Sequence, residues 1–212
     1  MEPDTIHLVD DEPQVLKSLG RLLRASGWKV SHYSSSTEFL AAAGNGGGGC
    51  LLLDYDMPGM NGLELQAALA ARGDWKIVFL TGRADIPTSV QAMKEGAVDF
   101  LVKPADRHQI LAAIRRASAA QRAEAARRVQ SEDLARRVGA LSPRERQVMR
   151  HVIGGRLNKQ IAESLGTAEK TVKIQRARVM RKMGVSSVAE LVRATDRAGI
   201  EPVEAEPAAQ EV

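Results

Sequence analysis

The sequence has few of the residues on which several classes of protein depend. Its 212 residues include one cysteine, Cys50, and only 3% are aromatic. One cysteine cannot form an intramolecular disulfide, and no Cys/His cluster with zinc-ligand spacing is present, so a cytoplasmic location is expected. Scarce aromatic rings leave few stacking platforms for unpaired bases, which argues against recognition of RNA or single-stranded DNA.

Long apolar segments are also absent. No run approaches the roughly 18 to 20 residues needed to cross a bilayer, and the segment after Met1 is acidic and polar. Neither membrane insertion nor export through a signal peptide is therefore expected. The length suits two domains of ordinary size.

The charges are distributed unevenly along the chain. Residues 1–104 carry 9 Lys/Arg against 13 Asp/Glu, whereas the remainder carries 21 against 13. The basic excess is concentrated in residues 141–200, with 13 against 5. This pattern indicates an acidic module followed by a basic one, and only the basic module should attract a polyanion.

The first half alternates short apolar runs with amphipathic helical patterns. Strands that are apolar on both faces are typical of a parallel sheet covered by helices on both sides. The predicted fold is therefore α/β, with five parallel strands. The strands are predicted at residues 5–10, 28–33, 50–54, 76–81 and 98–102.

Charged and hydroxyl residues stand at the predicted strand ends. Asp10 and Asp11 close the first strand, Asp54 the third, Thr81 the fourth and Lys103 the fifth. The carboxyl ends of parallel strands share one edge, so the three carboxylates should converge and repel unless a hard divalent cation such as Mg²⁺ or Mn²⁺ lies among them. Asp54 is then the natural nucleophile for an acyl phosphate, with Lys103 and Thr81 contacting the phosphoryl oxygens.

These residues resemble the receiver domains of two-component response regulators, a flavodoxin-like (βα)5 fold. Four motifs fall in the family's order and spacing, and the resemblance covers about the first 120 residues. The motifs are VDDE (9–12), LLLDYDMPGMNG (51–62), LTG (80–82) and DFLVKP (99–104).

The resemblance implies a role for each residue at the strand ends. Asp54 would be the phosphoacceptor, Asp11 and Asp54 would bind Mg²⁺ directly, and Asp10 would assist through water. The backbone carbonyl of Asp56 would be a further ligand, and Lys103 would bind the phosphoryl group. In the family a threonine and an aromatic residue form a switch pair, here Thr81 and Phe100. Receivers usually have a cis peptide bond where this chain has Lys103-Pro104, so that bond is a candidate.

Two other interpretations concern the same site. The DYD sequence at 54–56 also resembles the nucleophile and acid/base pair of haloacid-dehalogenase-type phosphatases, but those enzymes normally place that pair on their first strand. A separate hypothesis pairs Asp56 with Arg83 across the mouth of the site, which would hinder water and slow autodephosphorylation. The alternative is that both side chains are independently solvated.

Two connecting segments are predicted around these elements. The glycine-rich residues 44–49 lack the Lys-Ser/Thr of a phosphate loop and are predicted to be a flexible connector. Residues 106–138 contain neither Gly nor Pro and are rich in Ala and Arg, which favours one long helix. This spacer helix could join in dimer contacts and could break near residues 130–133.

The last 70 residues predict a four-helix domain. Ser142 and Glu145 form a capping box at the first helix, Asn158 starts a short second helix, and Thr167 is predicted to cap the third. The third helix runs to Met183 and is basic. A short helix, a turn and a longer basic helix form a helix-turn-helix, whose second helix enters the major groove of DNA.

Residues 141–198 closely resemble the DNA-binding domain of the LuxR/NarL/FixJ regulators, through LSPRERQVM, NKQIAESL, TVK and RKMGV. Gln175 and Arg178 replace residues frequent in that family, so the target sequence cannot be carried over. The resemblance implies that the fourth helix supplies a dimer face with Val188, Leu191 and Val192. The implied DNA contacts are Lys173, Ile174 and Ala177 to base edges, and Lys170, Thr171, Arg176, Arg178 and Lys182 to phosphates or edges, with Arg181 expected at the backbone.

The sequence thus predicts a FixJ-type transcription factor rather than an enzyme. The expected domains are a receiver at 1–120, a helical linker at 121–140, a DNA reader at 141–200 and a disordered acidic tail at 201–212. A sensor histidine kinase would phosphorylate Asp54, and the homodimer would bind promoter DNA and engage RNA polymerase. The alternative is a DNA-binding regulator whose receiver is a dimerisation module independent of phosphorylation.

Overall fold

Residues 5–44, 47–82 and 86–203 are described by the structure, a computed structural model. The chain divides into an N-terminal unit, Met1–Ala126, and a C-terminal unit, Arg127–Val212. The strands of the N-terminal unit are β1 (Thr5–Val9), β2 (Lys29–Tyr33), β3 (Gly47–Asp54), β4 (Gly73–Thr81) and β5 (Asp99–Val102). Its helices are α1 (Pro13–Ala25), α2 (Ser36–Ala43), α3 (Gly62–Ala70) and α4 (Ile86–Lys94), followed by the start of α5 (Arg107–Gly139).

All strand pairings of the sheet are parallel, in the order β2-β1-β3-β4-β5. The chain order reverses at β1, which lies between β2 and β3. In sheets of this kind the crevice outside the carboxyl ends of the strands at the reversal point is where ligands bind. Asp10 follows β1 and Asp54 ends β3, so both carboxyl groups lie at this crevice.

Each face of the sheet has its own core, which explains why the strands are apolar on both sides. On one face Cys50 and Leu52 of β3 pack in a cluster with residues of α1 and α5. On the other face Leu51 and Leu53 pack with Phe39 of α2 and with residues of α3 and α4. The predicted five-stranded parallel α/β fold is therefore confirmed.

The prediction that residues 44–49 form a flexible connector is wrong in part, because Gly47 to Gly49 are the first residues of β3. Residues 45 and 46 lie outside the described residues. A Cβ on Gly49 would lie 3.2 Å from Cζ3 of Trp75, and a Cβ on Gly47 would lie 3.2 Å from Cζ2 of the same ring. The glycines therefore leave room for the Trp75 indole close to the strand.

The long helix α5 is continuous from Arg107 to Gly139, with no break at residues 130–133. Ile110, Leu111 and Ile114 at its start belong to the core of the N-terminal unit. Leu134 and Val138 near its end pack against the core of the C-terminal unit. The remaining helices of that unit are α6 (Pro143–Ile153), α7 (Asn158–Ser164), α8 (Glu169–Met183) and α9 (Val188–Arg197).

The predicted capping box begins α6. The Ser142 side chain accepts the backbone N–H of Glu145, and the Glu145 side chain accepts the backbone N–H of Ser142. Thr167 does not cap α8 as expected, because the helix begins two residues later and Ala168 is its N-cap. The C-terminal unit is thus the predicted four-helix domain with the last turns of α5 added to it.

The first residues of the predicted disordered tail contact α6. The backbone N–H of Val203 donates to the carbonyl of Arg150 at 3.1 Å, and Nε of Arg150 donates to the carbonyl of Glu201 at 3.0 Å. Residues 201–203 therefore pack against the helix, and the tail from residue 204 onward lies outside the described residues.

Candidate metal centre and nucleic-acid interface

Three carboxyl groups meet at the crevice. Asp10, Asp11 and Asp54 each place an oxygen within 4.8 Å of the other two. Asp10 is 1% exposed and Asp54 5% exposed, so two of the three are withdrawn from water. Carboxylates at this spacing repel one another strongly in a site of low dielectric.

Lys103 supplies the opposing charge. Its Nζ donates to Oδ2 of Asp10 at 2.8 Å and lies 3.4 Å from Oδ2 of Asp54. Burial alone would lower the pKa of Lys103, but the hydrogen bond and charge of Asp10, with the charge of Asp54, raise it overall. The lysine therefore remains an ammonium. The Lys103-Pro104 peptide bond is cis, as expected.

Asp54 has a raised pKa and one carboxylate oxygen without a hydrogen-bond partner among the described residues. Burial raises its pKa to about 6, with Lys103 opposing and Asp10 adding to the shift. Its Oδ1 is buried and has no hydrogen-bond partner among the described residues. An unpaired buried acceptor is costly unless a cation or another group occupies the space beside it. The three carboxylates, with Oδ1 of Asp54 unpaired, suit a hard divalent cation.

Glu12 is a fourth carboxyl group at the site, to which the sequence did not assign a role. Its Oε1 lies 3.8 Å from Nζ of Lys103, although its side chain is 63% exposed. Its backbone N–H donates to Oδ1 of Asp10 at 2.9 Å, so both oxygens of Asp10 accept hydrogen bonds within the protein. The only available signal was its place beside Asp10 and Asp11 in the VDDE motif.

The expected switch residues lie on neighbouring strands. Thr81 is fully buried at the end of β4, where it pairs with Val102 of β5. Two residues earlier, Phe79 pairs with Phe100, and the two rings are 5.9 Å apart between centroids. Phe100 is partly buried against the second core. Thr81 therefore ends the strand beside β3, which ends in Asp54, and Phe100 lies one strand farther away.

The Asp56–Arg83 hypothesis is only half described. The side chain of Asp56 is exposed, whereas Arg83 lies outside the described residues. The pairing stays a prediction.

In the C-terminal unit, α8 has a buried side and an exposed basic side. Val172, Val179 and Met183 are at most 1% exposed and face the core. Ile174 is apolar and yet 48% exposed among the basic residues. Residues at spacings of three, four and seven share one face of a helix, so the exposed side is continuous. Its members are Lys170, Thr171, Lys173, Ile174, Ala177, Arg178 and Arg181.

Two further residues predicted to contact DNA have partners within the protein. Nη1 of Arg176 donates to Oδ1 of Asn158 at 3.1 Å. Nζ of Lys182 donates to Oε2 of Glu145 at 2.6 Å and to the carbonyl of Ala140 at 3.1 Å. The hydrogen bond from Lys182 lowers the pKa of Glu145. The two side chains are therefore held on the protein side of α8.

The prediction that Leu191 belongs to an exposed dimer face is wrong, because its side chain is fully buried in the core of the C-terminal unit. Val188 packs against the same core and is half-buried. Val192 is 40% exposed. Of the three residues, Val192 alone is well placed to meet another molecule.

Comparison with known proteins agrees with this arrangement. Residues 6–115 match the family model of the response regulator receiver domain, and residues 139–195 match that of bacterial regulatory proteins of the luxR family. The chain belongs to the response regulators. Its receiver and LuxR-type domains make it a DNA-binding transcriptional regulator rather than a conventional enzyme.

Several relatives match this response regulator over most of its length. Response regulator protein TmoT of Ectopseudomonas mendocina is 43% identical over 92% of this chain and 90% of its own. Transcriptional regulatory protein FixJ of Azorhizobium caulinodans is 42% identical over 94% of this chain and 95% of its own. A low-resolution structure of response regulator StyR aligns with a TM-score of 0.83 at 39% identity, covering 93% of this chain and all of that one.

The described part of this response regulator contains no helix that is both long and apolar enough to traverse a membrane.

Replacing Asp54 by Asn should stabilise the metal-free response regulator at neutral pH. The pKa of Asp54 is raised to about 6 in the folded state from 3.8, so Asp54 holds its proton more tightly in the folded than in the unfolded protein. Its contribution to the free energy of unfolding therefore falls as the pH rises from 3.8 to about 6. Thermal unfolding with a chelator should show the gain of Asp54→Asn largest above pH 6 and shrinking toward pH 4. The exposed Asp56→Asn is the control and should change little. A destabilised Asp54→Asn protein at pH 8 would contradict this account.

Proposed function

We propose that Asp54 is the phosphoacceptor of this response regulator. The observation that carries the proposal is the buried, unpartnered Oδ1 of Asp54 beside the ammonium of Lys103. An oxygen of Asp54 attacks the phosphorus of a sensor kinase phosphohistidine. The new O–P bond replaces the N–P bond, and the histidine leaves with the electron pair. Lys103 then contacts the phosphoryl oxygens.

Mg²⁺, or Mn²⁺ in its place, fits the carboxylates. Asp11 and Asp54 are the proposed direct ligands, with the backbone carbonyl of Asp56 as a further one. Both oxygens of Asp10 already accept hydrogen bonds, one from Lys103 and one from the backbone of Glu12, which supports a water-mediated role for Asp10. When bound, the cation neutralises charge on the phosphoryl oxygens. The chain's own residues orient the acceptor and exclude water.

The buried hydroxyl of Thr81 and the ring of Phe100 are the proposed switch. A phosphoryl group on Asp54 offers new acceptor oxygens at the end of β3, next to β4, which ends in Thr81. In the proposed switch the hydroxyl moves toward the phosphoryl group, and the Phe100 ring, which is partly buried, rotates inward behind it. The surface formed by α4 and β5 changes as a result.

Acetyl phosphate should phosphorylate the chain at one position. Phos-tag electrophoresis of the wild-type protein with Mg²⁺ should show a retarded band that is absent from Asp54→Ala. Asp56→Ala retains its backbone carbonyl and should still shift, which makes it the matched control. A shift that persists in Asp54→Ala, or no shift in the wild-type protein, refutes this assignment. No shift would favour the receiver as a dimerisation module independent of phosphorylation.

An exposed apolar stripe suits a second copy of the receiver. Ile86, Val90 and Met93 recur along α4 and are 79%, 44% and 46% exposed, and Val102 at the end of β5 is 47% exposed. The stripe belongs to α4 and β5, which carry the proposed switch output. We propose that phosphorylation pairs two copies through this surface. Pairing two receivers brings two DNA readers to two half-sites.

Val90→Asp should prevent this pairing. A carboxylate in an apolar interface would lose its hydration without a partner, so the phosphorylated variant should remain monomeric in light scattering while the wild type dimerises. Val129→Asp is the control, since Val129 is an apolar α5 residue that is 62% exposed. Dimerisation that survives Val90→Asp, or that fails in Val129→Asp instead, contradicts the α4 interface.

The exposed basic side of α8 is the proposed DNA interface. Lys173, Ile174 and Ala177 are the proposed base-edge contacts, and the exposed methyl groups of Ile174 suit a thymine methyl. Lys170, Thr171, Arg178 and Arg181 flank them toward the backbone. Promoter DNA, a sensor histidine kinase and RNA polymerase are the proposed partners, all in the cytoplasm. We propose no catalytic turnover beyond phosphoryl transfer to Asp54 and its hydrolysis.

Lys173→Ala and Arg181→Ala, both on α8, should change DNA binding in different ways. Duplexes are first selected from a random pool by the phosphorylated wild-type protein, and binding is measured by fluorescence anisotropy over a series of salt concentrations. Lys173→Ala should relax base preference. Arg181→Ala should weaken binding to all duplexes alike and reduce the salt slope by about one. Lys17→Ala, an exposed lysine of α1, is the control. Unchanged preference in Lys173→Ala would remove it from the base contacts.

A further inference from the structure

Two hydrogen bonds join the C-terminal end of α5 to the C-terminal end of α8. Nη1 of Arg137, on α5, donates to the carbonyl of Met183, the last residue of α8, at 2.8 Å. In return Nζ of Lys182, on α8, donates to the carbonyl of Ala140, just past α5, at 3.1 Å. The last carbonyls of a helix lack intrahelical partners and carry partial negative charge, so both cations are well placed.

A buried carboxylate fixes the second of these contacts. Glu145 is 4% exposed, and its Oε2 accepts from Lys182 at 2.6 Å and from the backbone N–H of Ser142 at 2.8 Å. A buried charge left without its partner is strongly destabilising, so Lys182 is held where it lies. We call Arg137, Ala140, Glu145, Lys182 and Met183 the clamp.

The backbone hydrogen bonds of the turn after α8 do not use the Met183 carbonyl, which accepts from Arg137 instead. The backbone N–H of Gly184 donates to Arg181, and that of Val185 donates to Met180, so the carbonyls one turn back are already paired. Gly184 has a φ of 65°, and a Cβ there would overlap the Arg137 guanidinium. A second ion pair, at 2.7 Å between Nε of Arg137 and Oδ2 of Asp133, orients the guanidinium from its own helix.

We propose that Arg137 and Lys182 are positioning residues of the DNA interface, which lock α8 to the end of α5 without contacting DNA themselves. The proposal rests on the proposed DNA-reading role of α8 and deepens it. The last turns of α5 then belong to the DNA reader and move with its reading helix. Lys182, which the sequence assigns to DNA, acts through the orientation of its neighbours Arg178 and Arg181.

The test uses the full chain with the duplex selected by wild-type protein, a scrambled duplex, and a salt series for each. Arg137→Met and Lys182→Met keep the aliphatic stems and remove the cations. Each should weaken binding to the selected duplex about tenfold and reduce the ratio of the affinities for the selected and the scrambled duplex. The salt slope should stay unchanged. The double variant should be no weaker than the weaker single variant, since both break one unit.

Arg136→Met is the matched control. Arg136 is the adjacent arginine, is 74% exposed and pairs with the same Asp133, whereas the Met183 carbonyl accepts from Arg137. It should bind both duplexes as the wild type does. Thermal unfolding is recorded for every variant, and binding is measured well below each transition. If Lys182→Met does not fold, Arg137→Met carries the test alone, because it leaves the pair of Glu145 and Lys182 intact.

Two results would overturn the proposal. One is wild-type affinity and discrimination in Arg137→Met, and the other is a salt slope reduced by about one in Lys182→Met, which would mark a phosphate contact. If the wild-type protein selects no duplex, the proposed function itself fails. Amide hydrogen exchange of the free protein then tests the clamp, with faster exchange at Gly184 and Val185 expected in Arg137→Met and not in Arg136→Met. Equal exchange in both variants counts against the clamp.

Discussion

The N-terminal unit depends on burying a carboxylate at the end of a rigid sheet. Asp54 is 5% exposed between two further aspartates, with one lysine in contact, so the site holds more negative than positive charge. Strand pairing prevents the carboxylates from separating, because β1 and β3 are neighbours in register. The structure therefore maintains a charge imbalance that a divalent cation relieves. The proposed phosphoryl group on Asp54 would change the same balance at the end of β3, beside the strand that ends in the fully buried Thr81.

In the C-terminal unit the buried charge is paired, and the excess charge is positive and exposed. Its one strongly buried acid, among the described residues, is Glu145, which is matched by Lys182 and by the N–H groups of its own capping box. The basic side chains that remain on the exposed side of α8 have little acid nearby, apart from Glu169, which lies 3.5 Å from Lys173. Such a surface attracts a polyanion. The whole-chain charge of +4 conceals this division of acidic and basic surfaces.

The strand ends could be predicted from the sequence because short apolar runs that end in charged or hydroxyl residues are local signals. The place of Gly47 to Gly49 in β3 could not, since glycine is depleted in strands and the residues that pair with these three lie on β4. Leu191 was misjudged because α9 is short and has apolar residues on two sides, and only packing shows which side is buried. The intramolecular partners of Lys182 could not be found from the sequence, because Ala140 and Glu145 are 42 and 37 residues away along the chain.

The helix α5 has no single apolar stripe along its length, because its two ends pack against different cores. Its start faces one core through Ile110 and Ile114, and its end faces another through Leu134 and Val138. Residues 126–132 between them are all exposed. One periodic stripe cannot serve two cores, so the apolar pattern fades where neither core is present. In that stretch the helix depends on the intrinsic preference of Ala and Arg and on cooperative propagation from the two anchored ends. A helix built in this way belongs structurally to both units, and its second anchor is the clamp at α8.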